Sequence, residues 1–390
     1  MTTVLLAPDK FKGSLTAAQV AAALARGVAR TAPAVQLLHC PIADGGDGTV
    51  DAALATGFQE RTTTITGPTG ARRTARWALS EQTAVIEMAL AVGLDALPGG
   101  TLAPHSASTR GLGELILAAR DAGARTIVVG LGGSSSTDAG AGMLQALGAR
   151  LEDAAGHPIG PGAAGLADLA AADLAPARDK LVGLTLIAAS DVTNPLLGPE
   201  GTTAVYGPQK GIAAHEIQDV DEVLACAASL LDPTGEHLTT PGAGAAGGTG
   251  FALFRIGAQQ QSGADTVLEL AGFDALLDRA DLVITGEGKL DEQTLHGKGP
   301  AEVARRAHAR SLPVLAVAGA ITLEEPALAA AGITGSWDLL SRSRDLEDAI
   351  TRGEQILEDI GEELGVQAMH GIRDGGGRSG GQSGDGGVGR

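Results

Sequence analysis

The chain has 390 residues, 44% of them hydrophobic, a formal net charge of −18 and only eight Phe, Trp and Tyr. That is length for roughly two or three domains of about 150 residues, and the acidic balance with so few rings speaks against a phosphate-backbone binder or a base-stacking platform. Apolar runs fall short of the roughly 18 to 20 residues of a membrane span, MTTVLLAPDKFKG lacks signal-peptide flanks, and Cys40 and Cys226 form no CxxC pair. A soluble cytoplasmic protein with reduced thiols is expected, binding neither nucleic acid nor membrane.

In chain order, short runs of Val, Leu and Ile alternate with polar glycine-rich loops and Ala/Leu-rich helical stretches, the rhythm of an α/β protein with a largely parallel sheet. TVLLA (3–7) predicts a first strand, and the PDKFKGS loop after it brings Asp9, Lys10 and Lys12 together. Ser14 or Thr16 is placed to cap a helix running through Val28. VQLLHCPIA (35–43) predicts a second strand leading into ADGGDG, whose Asp44 and Asp47 sit on a glycine backbone able to approach a ligand or Mg2+ closely. A helix follows from about Thr49. The stretch RTTTITGPTGARRTARWALSEQTAVIEMA (61–89) has period-two texture broken by a Gly-Pro turn, which predicts antiparallel hairpins.

RTIVVGL (125–131) runs into GGSSSTDAGAG and a helix through Leu147, so this glycine-rich stretch is a strand-to-helix loop and not a linker. Its Gly132 and Gly133 let the backbone turn, Ser134, Ser135 and Ser136 supply hydroxyls, and the helix start supplies N–H groups, an expected anion cradle. The plainer alternative is that Thr137 or Asp138 merely caps the helix. LTLIAAS (184–190) leads to DVTNP, placing Asp191 just past a strand end and Asn194 three residues on, where both can face one cleft. A carboxylate there could hold Mg2+ or take a proton from a substrate hydroxyl. DLVITG (281–286) predicts a strand ahead of the loop EGKLDEQT, with Glu287, Lys289, Asp291, Glu292 and Thr294, and PVLAVAG (313–319) predicts another.

The last strand–helix units resemble the opening ones more than the middle. A discontinuous first domain of residues 1–60 plus 286–370 is therefore expected, with 61–285 inserted and a disordered glycine-rich tail at 371–390.

There are only six lysines, and five of them (Lys10, Lys12, Lys210, Lys289 and Lys298) fall in glycine- or acid-rich loops, although Arg dominates elsewhere. The sole asparagine, Asn194, and the sole tyrosine, Tyr206, lie among these segments. In an open parallel sheet, loops at the carboxyl ends of the strands share the ligand cleft. HGKGP at 296–300 is no P-loop, because Gly299 stands where Ser or Thr is required. GLGG starts no dinucleotide fingerprint, and neither HExxH nor a Cys/His cluster points to zinc.

Taken in order, APDKFKGSLTA, PIADGGDGTVDA, GLGGSSSTDAGAGMLQALGA, DVTNPLLGPEG, GPQKG, GAGAAGGTGFAL and TGEGKLDEQTLHGKGP resemble the class I glycerate kinase family over roughly residues 3–365. The resemblance implies a kinase using ATP and Mg2+ to phosphorylate D-glycerate, in this class usually to 2-phosphoglycerate. It also implies two α/β domains: a discontinuous Rossmann-like or flavodoxin-like one with a largely parallel sheet, and an inserted mixed-sheet one, with the active site in the cleft between them. Phosphoryl transfer asks mainly for positioning and charge neutralisation, which Lys, backbone N–H groups and carboxylate-bound Mg2+ provide.

On this reading Asp191 is the expected general base or Mg2+ ligand, with Asp44 the other metal candidate. Lys10 and Lys289 act on the transferring group. Asp9, Lys12, Asp44, Asp47, Asn194, Glu287, Asp291 and Thr294 hold substrate. Gly132, Gly133, Ser134, Ser135, Ser136, Asp138, Lys210 and Lys298 hold nucleotide or product phosphate. A monomer or homodimer is expected. The alternatives are transfer to the 3-hydroxyl, another small hydroxy acid as acceptor, or a non-catalytic sugar-acid sensor, the last disfavoured because every acid is present and no basic DNA-binding segment appears.

Overall fold

The computed structural model describes residues 2–43, 45–292, 294 and 299–370. Thirteen strands are found among the described residues: β1 (Thr3–Pro8), β2 (Gln36–His39), β3 (Gln59–Thr66), β4 (Arg72–Ser80), β5 (Thr83–Glu87), β6 (Thr126–Gly130), β7 (Arg150–Glu152), β8 (Ala171–Asp173), β9 (Thr185–Ala189), β10 (Gln259–Gln261), β11 (Leu282–Leu290), β12 (Val314–Ile321) and β13 (Gly335–Asp338). They build a five-stranded sheet of order β13-β12-β11-β1-β2, a six-stranded sheet of order β10-β9-β6-β5-β4-β3, and a β7-β8 ribbon.

The first sheet is parallel throughout. Counting only its own strands, its order is the flavodoxin-like 2-1-3-4-5, which reverses direction between β1 and β11. Successive β1 residues point to opposite faces, as a pleated strand requires. Val4 and Leu6 pack with Val20, Leu24, Leu357 and Ile360 of the helices Ala17–Thr31 and Gly353–His370. Leu5 and Ala7 pack on the other side with Val303, Ala304 and Ala307 of the helix Gly299–His308. Thr16 caps the helix Ala17–Thr31 through a capping box with Gln19, while the Ser14 hydroxyl donates to Phe11 O.

The second sheet is mixed. The hairpin expected from residues 61–89 appears as antiparallel β3-β4-β5, and β5, β6, β9 and β10 run parallel. Its larger core takes Ile127 and Val129 from β6, and Val128 faces the smaller cluster with Val50 and Val85. The chain leaves the first sheet after β2 and returns to it at β11. The division expected at 285/286 thus falls inside a strand. Glu287 and Lys289, expected in a loop, continue β11 and pair in register with Ala318 and Ala320.

Candidate functional site

The loop 43–48 is where the two sheets meet, and its glycines make the meeting possible. Gly45 has φ +76°, and a Cβ there would stand 2.4 Å from Gly263 Cα and 3.1 Å from Ala189 O. A Cβ on Gly132 would lie 2.4 Å from Gly46 Cα, and one on Gly133, at φ +68°, 2.4 Å from Asp47 Oδ1. Two glycine-rich loops, one from each sheet, therefore touch backbone to backbone. From the first sheet, Lys10 Nζ donates to Asp47 O at 2.7 Å.

Over this junction lies a cavity of about 850 Å3, walled by the β1 loop (Asp9, Lys10, Lys12), by Asp47 and Asp51, and by Arg73, Arg76 and Glu87 of the second sheet. It stands beside β1, next to the reversal of strand order, where open α/β sheets place their ligands. Lys12 is exposed at the rim and Asp9 is buried, its Oδ1 accepting from Lys10 N at 2.6 Å. Asp47 Oδ1 is buried without a hydrogen-bond partner, an acceptor in want of a donor.

The β11 end closes in on the same loop. A Cβ on Gly288 would be 3.1 Å from Lys12 N. The Thr294 hydroxyl donates to Glu287 Oε1 at 2.6 Å, and Lys289 pairs with Asp291 at 3.2 Å. Asp9, Lys10, Lys12, Asp47, Glu287, Lys289, Asp291 and Thr294 are thus brought to one neighbourhood. Asp44 and Lys298 lie outside the described residues.

Other expected site residues are turned inward. The N–H groups at the helix start after GGSSSTD were to cradle an anion, but they are already taken. The Asp138 carboxylate accepts from Thr109 N and Oγ1 and from Gly140 N and Gly142 N, and Thr109 Oγ1 accepts from Met143 N. Both the hydroxyl and the N–H of Ser135 go to Val92 O. Asp138 is fully buried, and its pKa is held above the usual carboxylate range by desolvation, its donors opposing. Asp138 thus caps the helix start, and Ser134, Ser135 and Ser136, expected as phosphate ligands, are buried beside it, with the Ser136 hydroxyl lacking a partner. Lys210 joins them: only 2% exposed, it donates to Ser136 O at 2.6 Å, and burial pushes its amine down to about 7, partly opposed by Asp138.

Asp191 and Asn194 also serve their own surroundings. Asp191 Oδ1 accepts from Ser262 Oγ and Gly263 N, and Oδ2 from Ala264 N, so the carboxylate holds the start of the helix Gly263–Leu270. Asn194 accepts from the Tyr206 hydroxyl at 2.7 Å and donates to Glu200 O at 2.8 Å, so the two residues unique of their kind secure one turn together.

Among the cavity residues that escaped the sequence reading are three from the second sheet. Arg73 and Arg76 stand on β4, where their signal was the basic spacing in GARRTARW. Arg73 Nη1 donates to Ala91 O at 2.7 Å, and Arg76 forks onto Asp51 at 2.6 and 3.0 Å. Glu87 ends the apolar run TAVIE, and an acid closing a buried strand was the available clue. It is 3% exposed, its Oε2 accepts from Val50 N at 3.1 Å, and burial pushes its carboxyl up to about 7 against the pull of the Val50 and Gly48 N–H groups.

A cavity lined by both cations and acids thus stands at the switch point of a parallel sheet, beside a second, mixed sheet. The sequence matches the model of the glycerate kinase family over residues 4–369. The chain belongs to the glycerate kinase family. It is 41% identical over 361 residues to a glycerate kinase of Bacillus subtilis (strain 168), covering 91% of this chain and 94% of the relative. It is 40% identical over 353 residues to the glycerate 2-kinase of Escherichia coli (strain K12), covering 89% and 92%. A crystal structure described as glycerate kinase 2 of Salmonella typhimurium LT2 superposes with a TM-score of 0.83 at 39% identity, covering 95% of this chain and 99% of that one. This glycerate kinase family member is therefore a kinase of two-sheet α/β fold, and among the described residues no helix is long and apolar enough to cross a membrane.

Proposed function

We propose that the protein transfers the γ-phosphoryl group of ATP to D-glycerate, giving 2-phosphoglycerate, in the cavity between the β1 loop and the β4-β5 edge. The observation that carries the reading is the set of four cations, Lys10, Lys12, Arg73 and Arg76, lining one cavity with buried acids in an otherwise acidic chain. Both reactants are anions, and phosphoryl transfer is catalysed chiefly by holding them together and neutralising charge. Lys10, fixed to Asp47 O, and Lys12 at the rim are placed for phosphate oxygens. Asp47, with an unpartnered oxygen, and Asp9 are placed to accept from substrate hydroxyls. Glu287, Lys289, Asp291 and Thr294 would border the site from β11. The chain is expected to work in the cytoplasm, as a monomer or homodimer.

ATP is proposed to arrive as its Mg2+ complex, the ion supplying charge neutralisation on the phosphates. Among the described residues no three His, Cys, Asp or Glu side chains gather to form a protein cage for it. Asp191, whose oxygens accept from Ser262, Gly263 and Ala264, would be oriented by those donors as a ligand to the ion or as a base. A coupled ADP-release assay over a panel of small hydroxy acids, with phosphorus NMR of the product, tests the reading. ATP-dependent turnover of D-glycerate to the 2-phospho isomer is expected. Turnover of none of the acids would overturn it, and 3-phosphoglycerate would move the reacting hydroxyl.

A further inference from the structure

Glu87 is the cavity residue to which the description above gives no task. It is the last residue of β5, opposite Gly130 of β6 in register, so it stands at the carboxyl end of the second sheet beside the loop that packs on residues 46–47. Two backbone N–H groups just after residues 46–47, those of Gly48 and Val50 at the start of the helix Thr49–Ala55, donate to its carboxyl and fix its place in the cavity wall. Of the other acids around the cavity, Asp47 keeps an unpartnered Oδ1 and is the one assigned above to hold a substrate hydroxyl. Asp51 is forked by Arg76, Asp9 accepts from the backbone of Lys10, and Asp95 is exposed.

Charged groups face Glu87 from several elements. Asp47 and Asp51 disfavour its anion, Arg76 on β4 favours it while bound to Asp51, and Lys10, Lys12 and Arg73 share the cavity. Burial dominates, and a carboxylate with its pKa raised to about 7 is a better proton acceptor near neutral pH than an ordinary carboxylate.

We propose that Glu87 is the group that takes the proton from the phosphoryl-accepting hydroxyl. The inference rests on the reading of this cavity as the glycerate kinase site. In the step, the hydroxyl oxygen forms a bond to the γ-phosphorus and the bond from that phosphorus to the β,γ-bridging oxygen breaks. The bond's electron pair leaves with ADP, and the hydroxyl proton passes to the Glu87 carboxylate, which later returns it to solvent.

The test compares wild type with Glu87→Gln, which keeps an oxygen able to accept from Val50 N but cannot take a proton. The expected result is a fall in kcat of about 100-fold or more. KM for ATP and glycerate should stay within about threefold and Tm should hold, with loss of the acid limb that wild-type kcat/KM is expected to show near pH 7. Turnover within about threefold of wild type, or a slower variant that keeps the limb, reduces Glu87 to a support of the helix start and overturns the proposal. Should the variant not fold, carbon NMR titration of 13C-glutamate-labelled wild type decides. A buried carboxyl whose midpoint coincides with that of the acid limb of wild-type kcat/KM sustains the proposal, and a midpoint away from that limb overturns it. Wild-type inactivity towards glycerate would sink the functional reading separately.

Discussion

Lys210 shows how a residue type that is scarce in a chain can sit in the interior. Its ammonium is buried against Ser136 O, and a Cβ on Gly247, at φ +70°, would lie 2.0 Å from that same oxygen and 2.9 Å from Lys210 Nζ. Glycine is required there for the lysine to fit. The unfolded lysine titrates at 10.5 and the buried one at about 7, so between those values the unfolded chain binds more protons and stability rises with pH. Lys210→Met is expected to flatten this rise, which amounts to on the order of 1 kcal/mol per pH unit. Urea melts at several pH values between 7 and 10 would detect it, and equal slopes for the two proteins would refute the assignment. For Asp191, whose carboxylate caps a helix, Asp191→Ala should lower stability by about 1–2 kcal/mol in the same melts. A melt matching wild type would deny the carboxylate a part in holding that helix.

At the scale of elements, the contact between the loops 43–48 and 130–133 joins the two sheets at the site. Both sides are glycine because the backbones approach closer than any side chain allows. Gly132→Ala puts a methyl 2.4 Å from Gly46 Cα, so one loop must retreat. The change should cost about 1–3 kcal/mol. Because Lys10 is tied to the neighbouring Asp47 O, it should also lower kcat/KM for glycerate. A control lies far along the chain: Asp345 caps the helix Leu346–Thr351 by accepting from Asp348 N at 2.8 Å. Asp345→Ala should cost about 1 kcal/mol of stability and leave the kinetics alone. Steady-state kinetics with chemical denaturation separates the two effects, and unaltered kcat/KM in Gly132→Ala would deny the loop contact a part in catalysis.

For the whole molecule, two sheets with separate hydrophobic clusters share one cavity, so a ligand bound there stabilises both. ATP at about 100 times its Kd should add about 2.7 kcal/mol to the unfolding free energy. Calorimetric scans with and without nucleotide and glycerate measure this. Absence of a Tm shift with either ligand at saturation would exclude the cavity as their site.

The alternation of apolar runs with glycine-rich loops made the α/β class, the parallel strands and the 61–89 hairpins legible in the linear order, because period and turn chemistry are local properties. The seven ordered motifs likewise carried the family. The residues of the β1 loop and of β11 could be named as neighbours because strand ends in a parallel sheet share one edge. What a polar side chain does once there is set by which donors lie within 3 Å, and these come from distant segments. Asp138 meets Thr109, Lys210 meets Ser136, and Asp191 meets the start of a helix more than seventy residues away. Arg73, Arg76 and Glu87 belong to the cavity only because β4 and β5 fold against the β1 loop. Local sequence thus determined the elements and the kinds of group on offer; tertiary packing decided which of those groups face solvent and substrate and which satisfy the interior, since a buried polar atom takes whatever partner the fold brings within reach.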